Sequence, residues 1–280
     1  MAIRIVTDSS TDITHELARE LGVDAVISAY VVFGDKAIPS LELTPSEFHR
    51  MMRESPIFPK TSQPSIGDCV EVYERFKEDE VLSIHISREL SGTYSSAEAA
   101  SRLLAGGGPS ITLIDTRQVS AGAALLVMEA VEMVKRGVNS AAEIAAHIQS
   151  LIPRTRMHFV LETLENLRRG GRIGSVRALL GNMLQMKPLL TICDGRIEPL
   201  ERVRTFNKAV ARLKEVALKE LSGVVNPRVC VMHAAAQQLA QDLAKELAER
   251  LGIHPPRVIE AGPAICVHSG PGAVGISYIA

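Results

Sequence analysis

The chain has 280 residues, of which 46% are hydrophobic and only 4% aromatic, with 31 Lys or Arg against 32 Asp or Glu and a net charge of -1. This balance argues against a disordered chain and excludes a globally basic nucleic-acid-binding protein, although a local basic patch is compatible with it. The length suits one large domain or two ordinary ones, which is enough for a substantial aliphatic core.

Strand and helix signals alternate through the first half of the chain. Four apolar runs predict strands, and they cover residues 3–6, 26–33, 81–86 and 111–115. Polar loops follow three of these strands, at residues 8–12, 87–95 and 115–120. Strand, loop and helix repeated in this order predict right-handed crossovers and a mostly parallel sheet. We therefore expect the three polar loops to meet at the carboxyl edge of that sheet, where such sheets bind ligands.

Two capping boxes mark the starts of helices in the same half. The sequence TPSE at 44–47 has Pro at the first helical position, and SAAE at 140–143 opens a second helix that Pro153 closes. We place a domain boundary at this proline. It separates an N-terminal α/β domain over 1–153 from a C-terminal α/β domain over 154–280.

The second half mixes strands and helices in a less regular order. The turn Asp194-Gly195 predicts a hairpin between strands at 187–192 and 196–203. The other apolar segments are predicted as helices at 161–169, 206–221 and 236–251, a strand at 229–233, and a last pair of strands around a Gly/Pro turn within 258–280.

Cysteine usage and apolar run lengths favour a cytoplasmic protein. The longest apolar run, 121–128, is far shorter than the roughly 18 residues that a membrane-spanning helix needs. The first residues enter a strand directly and lack the apolar stretch of a signal peptide. No CxxC pair is present, which favours reduced thiols in the core over a metal or redox centre. The four cysteines are Cys69, Cys193, Cys230 and Cys266.

The sequence lacks the common motifs of stand-alone enzymes. It has no GxxxxGK[ST] loop, no GxGxxG after a strand and no GxSxG turn. The segment HELAR at 15–19 ends in Arg where a zinc motif would have its second His. These absences weaken the hypothesis of an enzyme that acts alone.

Two hydroxyl-rich segments are candidate binding loops. KTSQPS at 60–65 has a structural alternative, a turn in which Ser65 caps the next helix. LSGTYS at 90–95 lies where a strand leads into a helix, so its free N–H groups and hydroxyls suit an anion, although such a segment is more often only a cap.

Two further segments combine glycines with a basic side chain. VHSGPGAVG at 267–275 carries His268, which alone is more often structural than functional. RRGGRIG at 168–174 reads as a capped helix end, except that Arg172 lies beyond the cap. The surrounding stretch 150–214 holds 13 Lys or Arg and 5 Asp or Glu, a charge that suits a solvated face, an acidic partner or a phosphate.

Taken together, these segments strongly resemble the DegV family, and the likeness covers nearly the whole chain. It is carried by TDSSTD at 7–12, TSQPS at 61–65, LSGTY at 90–94, Asp115-Thr116 with Ser120, Leu164 through Gly171-Arg172-Ile173, Lys187-Pro188, Asp194-Gly195, and His268 with Gly270-Pro271-Gly272. The chain departs from the family pattern at Ala124 and Thr205, where the family tends to have Gly. Both departures bear on the shape of the cavity and on acyl preference.

The resemblance implies a fatty-acid-binding protein with no cofactor and no metal. Family members bind fatty acids, and in some bacteria they are the acyl-binding subunit of a two-protein fatty acid kinase. The implied fold has two α/β domains, a mostly parallel sheet in the first and a mixed sheet in the second, with the ligand between them. The implied partners are a fatty acid of about 16–18 carbons and a separate kinase subunit, with no nucleic acid and no stable membrane anchoring.

The resemblance also assigns site residues. The ligand carboxylate is expected at Thr61 and Ser91, with Ser62, Gly92, Thr93 and His268 beside it. Arg172 and His268 are expected to assist phosphotransfer by stabilising charge on the transferred phosphoryl group. From the apolar pattern we expect the tail to be lined by Met183, Leu184, Met186 and Leu189.

Three functions follow as hypotheses. The first is an acyl-binding subunit that presents the fatty-acid carboxylate to an ATP-dependent kinase, so that it needs no nucleotide loop of its own. The second is a stand-alone lipid or phosphate-ester hydrolase that uses a loop serine such as Ser91. The third is a non-catalytic regulatory module whose basic stretch 150–214 binds a nucleic acid or a protein.

Overall fold

The computed structural model describes residues 1–185 and 187–280, without the side chains of residues 180–185. Its strands are β1 (Ile3–Asp8), β2 (Ala25–Ile27), β3 (Tyr30–Phe33), β4 (Lys36–Pro39), β5 (Lys60–Ser62), β6 (Glu80–His85), β7 (Ser110–Asp115), β8 (Thr155–Val160), β9 (Lys187–Cys193), β10 (Arg196–Val203), β11 (Arg228–His233), β12 (Arg257–Glu260) and β13 (Val274–Ile279). Its α-helices are α1 (His15–Leu21), α2 (Pro45–Glu54), α3 (Ile66–Glu74), α4 (Thr93–Leu104), α5 (Ser120–Lys135), α6 (Ala141–Leu151), α7 (Glu165–Arg169), α8 (Phe206–Glu220), α9 (Gln237–Leu251) and α10 (Pro263–Ser269). Short 3-10 helices cover Ser9–Thr11, Ser40–Glu42, Ile152–Arg154 and Gly174–Gln185.

The first sheet is parallel, as predicted, with strand order β2-β1-β6-β7. Its carboxyl edge gathers the three polar loops. The N–H of Thr116 donates to the carbonyl of His85 at 3.0 Å, and the N–H of Ser87 donates to the carbonyl of Gln118 at 2.8 Å. The prediction that these loops meet at one edge is therefore confirmed.

The second large sheet is mixed, with strand order β10-β9-β8-β13-β11-β12. Only β11 and β12 pair in parallel within it, and the other neighbours are antiparallel. The predicted hairpin between β9 and β10 is confirmed, and its turn residues Asp194 and Gly195 both have positive φ, as a tight hairpin turn requires. Helices α8 and α9 cover one face of this sheet. A small antiparallel sheet, β4-β3-β5, completes the strands of the described residues.

Helix α5 packs between the two large sheets. It contacts β1 of the parallel sheet as well as β8, β11 and β13 of the mixed sheet. Its first two turns are buried on nearly all sides, which fits the unbroken run of small and aliphatic residues at 121–128. The main hydrophobic cluster accordingly contains side chains from both halves of the chain. Because this cluster crosses residue 153, it does not mark a boundary there, and the division into two domains at that residue stays a prediction.

Three element predictions are wrong. The strand predicted over 26–33 is two strands in different sheets, because the N–H of Ala29 donates to Ser9 Oγ at 2.9 Å and turns the chain between β2 and β3. The helix predicted over 161–169 is only α7, since its start is set by Thr163 Oγ1, which accepts from the N–H of Glu165.

The third wrong prediction concerns the end of the chain. Strands β12 and β13 do not pair with each other but flank β11 on opposite sides. Between them lies helix α10, which begins with Pro263 and ends before Gly270 at φ +69°. His268 is therefore in the last turn of a helix and not at a turn between strands.

The described residues contain no helix that is both long and apolar enough to cross a membrane. All four cysteines are free. Three of them are buried as predicted, but Cys193 is exposed at the end of β9.

Truncation inside α5 tests how much stability depends on this helix. Leu126 is fully buried, so we expect Leu126→Ala to lower the free energy of unfolding by about 2–5 kcal/mol, since it leaves a cavity between the sheets. The control is Leu103→Ala in α4, because Leu103 is 72% exposed and its truncation should change stability by less than about 0.5 kcal/mol. Chemical denaturation measures both, and equal effects would contradict the central placement of α5.

Candidate functional site

A cavity of about 230 Å³ lies at the carboxyl edge of the parallel sheet and reaches the face of the mixed sheet. Most of its wall is apolar and comes from both halves of the chain. The apolar lining residues are Ala29, Ile86, Leu90, Val119, Met157, Phe159, Leu161, Leu167, Ile197, Met232, Ala264, Ile265 and Ala273. Such a wall suits an aliphatic group rather than a polar metabolite.

Of the four predicted lining residues, the structure describes the side chain of Leu189 alone. Leu189 is buried on β9 in the separate cluster under α8 and α9, and it does not line the cavity. Met183, Leu184 and Met186 lie outside the residues whose side chains the structure describes. Among the described residues, β8, β10, β11 and α10 contribute to the wall, and the sequence pattern alone could not place these elements around one space.

The polar lining residues fall into two groups. The four candidate segments supply Thr61, Ser62, Gln63, Ser91, Arg172, His268 and Ser269, and the polar loops at 8–12 and 115–120 supply Ser10 and Ser120. Thr61 Oγ1 lies 2.9 Å from His268 Nε2, although 207 positions separate the two residues in the chain. Strand β5 and helix α10 thus bring together two of the predicted site residues.

The segments TSQPS and LSGTY also meet. Gly92 lies so close to the end of the Gln63 side chain that a Cβ at position 92 would overlap it, so the two segments are in direct contact. Ser91 Oγ lies 2.9 Å from Thr93 Oγ1 and accepts from the Thr93 N–H, so it caps the start of α4. Gly92 and the buried Thr93 do not themselves line the cavity. Thr93 instead contacts Ser91, which does line the cavity.

Arg172 faces the cavity without an acidic partner. Its Nε donates to the carbonyl of Leu90 at 3.1 Å and its Nη1 to the carbonyl of Gly170 at 2.9 Å. Among the described residues no carboxylate lies within ion-pair distance of it, whereas the nearby Arg168 pairs with Glu165. A half-buried charge without a counter-ion attracts an anion.

His268 is neutral near pH 7. Burial, followed by the charge of Arg172, lowers the pKa of His268 from 6.5 to about 4. Its Nδ1 is buried and has no hydrogen-bond partner in the described part of the chain. The ring packs so tightly over Gly170 that a Cβ at that position would overlap it.

Sequence reasoning missed a layer of buried polar residues behind the cavity. Asp12 accepts from Ser120 Oγ and, at 2.8 Å, from the N–H of Gly262. Burial raises the pKa of Asp12 to about 7, and the neighbouring Asp8 adds to the shift. The motif TDSSTD and the loop 115–120 were the available signals, but neither indicates which of its residues face the cavity.

The two departures from the family pattern lie away from the cavity. Ala124 is fully buried inside α5, and Thr205 caps α8 by accepting from the N–H of Lys208. Neither side chain lines the cavity. The expectation that both shape it directly is therefore not supported by their positions.

A shallow basin of about 640 Å³ adjoins the polar end of the cavity. The two spaces share Leu90, Ser91, Arg172 and Ile197. Two more arginines line the basin, and both are already paired, Arg88 with Asp115 at 3.1 Å and Arg196 with Glu89 at 2.6 Å. The basin therefore offers space next to the polar end without adding free positive charge.

Five of the 13 cations in the basic stretch 150–214 are paired with carboxylates. The pairs are Arg168–Glu165, Lys187–Glu162, Arg196–Glu89, Arg212–Glu201 and Lys214–Glu246. Three of these carboxylates, Glu162, Glu165 and Glu201, lie within the stretch itself, so the pairing leaves most of its net positive charge in place.

Known proteins resemble this chain over its full length. The model of the DegV family matches residues 2–280. A DegV domain-containing protein from Halalkalibacterium halodurans is 36% identical over 282 residues, which cover 99% of this chain and 98% of the relative. The structure of a DegV family protein from Thermus thermophilus, described as fatty acid binding, is 36% identical with a TM-score of 0.91, and 100% of both chains is covered. That of a stearic-acid-binding protein from Eubacterium ventriosum is 28% identical with a TM-score of 0.90, covering 99% of this chain and 98% of that one. This chain therefore belongs to the DegV family.

Proposed function

We propose that this protein binds a long-chain fatty acid, with the carboxylate at Thr61, Ser91 and His268 and the acyl chain in the apolar cavity. The observation that carries the proposal is the end of the cavity itself, where the Thr61–His268 pair and the unpaired charge of Arg172 adjoin an otherwise apolar wall. The fatty acid binding described for the Thermus thermophilus and Eubacterium ventriosum relatives supports it.

The two parts of a fatty acid, its acyl chain and its carboxylate, match the apolar wall and the polar end of the cavity. Each buried methylene contributes about 0.8 kcal/mol, so a long acyl chain supplies much of the affinity. A carboxylate leaves water at a cost of several kcal/mol unless it is hydrogen-bonded or charge-paired. Two hydroxyls, an imidazole and a guanidinium at one end of the cavity can meet that requirement.

Presentation of the carboxylate to a separate kinase is the second part of the proposal. The polar end of the cavity adjoins the basin of about 640 Å³, and Arg172 lines both spaces. The carboxylate oxygen attacks the γ-phosphorus of ATP held by the kinase, the bond from that phosphorus to the β-phosphate oxygen breaks, and an acyl phosphate and ADP result. Arg172 stabilises the charge that develops on the transferred group.

The hydrolase hypothesis finds no comparable support. Ser91 Oγ contacts Thr93 Oγ1, and no histidine lies within hydrogen-bond distance of it in the described residues. A serine nucleophile needs an adjacent base to become reactive.

Lipid that co-purifies with the protein tests the proposal directly. We expect denatured protein to release a fatty acid that mass spectrometry identifies, and added fatty acid to raise the melting temperature of delipidated protein. The matched control is the methyl ester of the same acid, which keeps the chain but removes the negative charge and should stabilise less. Absence of both lipid release and thermal stabilisation would overturn the proposal.

Two substitutions separate binding from phosphotransfer. Thr61→Ala should weaken fatty acid binding by about tenfold, because it removes a hydrogen bond to the carboxylate, while Thr61→Ser should retain affinity. Arg172→Ala should cost less affinity than Thr61→Ala, because water screens the charge of this half-buried side chain and the other donors remain, but it should reduce acyl phosphate formation by more than that loss explains in a reaction with ATP and a fatty acid kinase subunit. Calorimetry and a phosphotransfer assay measure the two effects. Equal losses of affinity in the alanine variants would show that the assigned roles are wrong.

The pKa of His268 should report whether a carboxylate is bound beside it. The pKa of this imidazole is about 4 in the folded chain and 6.5 in the unfolded chain. As pH falls from 6.5 to 4, the unfolded chain therefore takes up the proton first, and the stability of the folded chain decreases. A bound carboxylate favours the charged form and should move the pKa upward. Histidine NMR of delipidated and loaded protein measures the shift, with His268→Gln used for assignment. An unchanged pKa on loading would place the carboxylate elsewhere.

A further inference from the structure

Helix α10 carries His268 and is hydrogen-bonded to the first half of the chain at both of its ends. Near its carboxyl end, His268 Nε2 lies 2.9 Å from Thr61 Oγ1. At its start, the N–H of the N-cap residue Gly262 donates to Asp12 Oδ1 at 2.8 Å. Within the described residues, these are the two hydrogen bonds that connect α10 and its N-cap with residues 1–153.

The start of α10 has no cap of its own. Gly262 provides no side chain, and Pro263 follows at the first helical position. Asp12 accepts from the N–H of the N-cap residue itself, and so takes from another part of the chain the role that the N3 side chain has in a capping box. Helix α10 has only seven residues. The position at which Asp12 holds its N-cap residue therefore also determines where its last turn lies.

Asp12 is itself held firmly. It is 3% exposed, and its other oxygen accepts from Ser120 Oγ at the first residue of α5. Its φ of +59° places the carboxylate between α5 and α10, in a backbone conformation that Asp and Asn tolerate better than most residues. Asp12 does not line the cavity, whereas Ser120 does. The carboxyl group thus lies one hydrogen bond behind the cavity wall.

We infer that Asp12 is a positioning residue for the carboxylate site, which acts by holding the start of α10 and thereby sets His268 against Thr61. From Gly262 to His268 the helix spans six residues, or about 9 Å at 1.5 Å per residue. A small displacement at Gly262 therefore moves the imidazole out of hydrogen-bond range of Thr61. This inference rests on the proposed binding of a fatty acid, because its effect is expressed at that site.

A double-mutant cycle between Asp12 and His268 tests the inference, with the affinity of delipidated protein for palmitate as the readout. Asp12→Gly deletes the carboxylate while glycine adopts the positive φ without strain. It should weaken palmitate binding by about tenfold in the wild-type background and by less than about twofold in the His268→Ala background. Asp12→Asn should retain affinity within about twofold, since its amide oxygen accepts from Gly262 and its amide N–H can donate to Ser120.

The control for general destabilisation is Tyr278→Phe. It removes the hydrogen bond from the buried Tyr278 on β13 to Glu220 at the end of α8, and neither residue lines the cavity. It should lower the melting temperature without changing palmitate affinity. If Asp12→Gly does not yield folded protein, Asp12→Ser replaces it in the same cycle, because the serine hydroxyl is too short to reach both partners.

The outcomes separate this inference from the proposed function. If the wild-type protein does not bind palmitate or other fatty acids, the proposed function fails and this inference with it. If the wild-type protein binds but the losses from Asp12→Gly are equal in both backgrounds, only the positioning role is overturned. Loss of affinity in Asp12→Asn as large as in Asp12→Gly would overturn it as well.

Discussion

The buried carboxylate of Asp8 is the contact on which the candidate site depends. Asp8 ends β1 with no exposure to solvent, and it accepts from the N–H of Ser10 at 2.9 Å, from His85 Nδ1 at 3.0 Å and from the N–H of Ile86 at 3.1 Å. A buried carboxylate is tolerated only when such donors surround it, so these bonds cannot be exchanged for water. Since Ser10 and Ile86 both line the cavity, one side chain fixes two of the loops that form its wall.

The same contact shows why a familiar arrangement of side chains is not a catalytic site here. Ser83 Oγ lies 2.8 Å from His85 Nε2, whose other nitrogen contacts Asp8, so serine, histidine and aspartate stand in the order of a hydrolase triad. All three are fully buried within the sheet, and Tyr73 closes the serine end at 2.9 Å. No substrate can reach this serine, and the row serves to join β1 to β6.

The sequence predicted the parallel sheet, its polar edge, most of the helices and the hairpin, because each is encoded locally. Apolar runs followed by small polar residues define strand ends, and side chains three residues apart define caps such as Thr44 with Glu47. It also selected the segments that supply Thr61, Ser91, Arg172 and His268, which do line one cavity. The residue content of the segments made them candidates, but the roles of these four residues came from the family resemblance, since each segment alone has an ordinary structural explanation.

The missed features depend on contacts between distant residues. The break at Ala29 requires Ser9 as its acceptor, and the placement of α10 requires Asp12, some 250 positions away. The start and end of α10 did carry local signals, Pro263 at the first helical position and Gly270 after the last, but a run of seven residues rich in small side chains is too short for a helical period to be visible. The cavity wall was missed for the same reason, because it is shared among strands of the mixed sheet and α10.

Charge balance connects the two parts of the proposed function. Before the ligand binds, Arg172 is the unpaired charge at the polar end among the described residues, and its field helps to keep His268 neutral. A carboxylate brings a single negative charge, which the guanidinium can match while the hydroxyls and the imidazole satisfy the remaining lone pairs. An acyl phosphate carries further negative charge, and the basin beside it adds only arginines that are already paired with Asp115 and Glu89. Under the proposed function, the site is therefore better matched to the fatty acid than to its phosphorylated product, which favours release of that product after transfer.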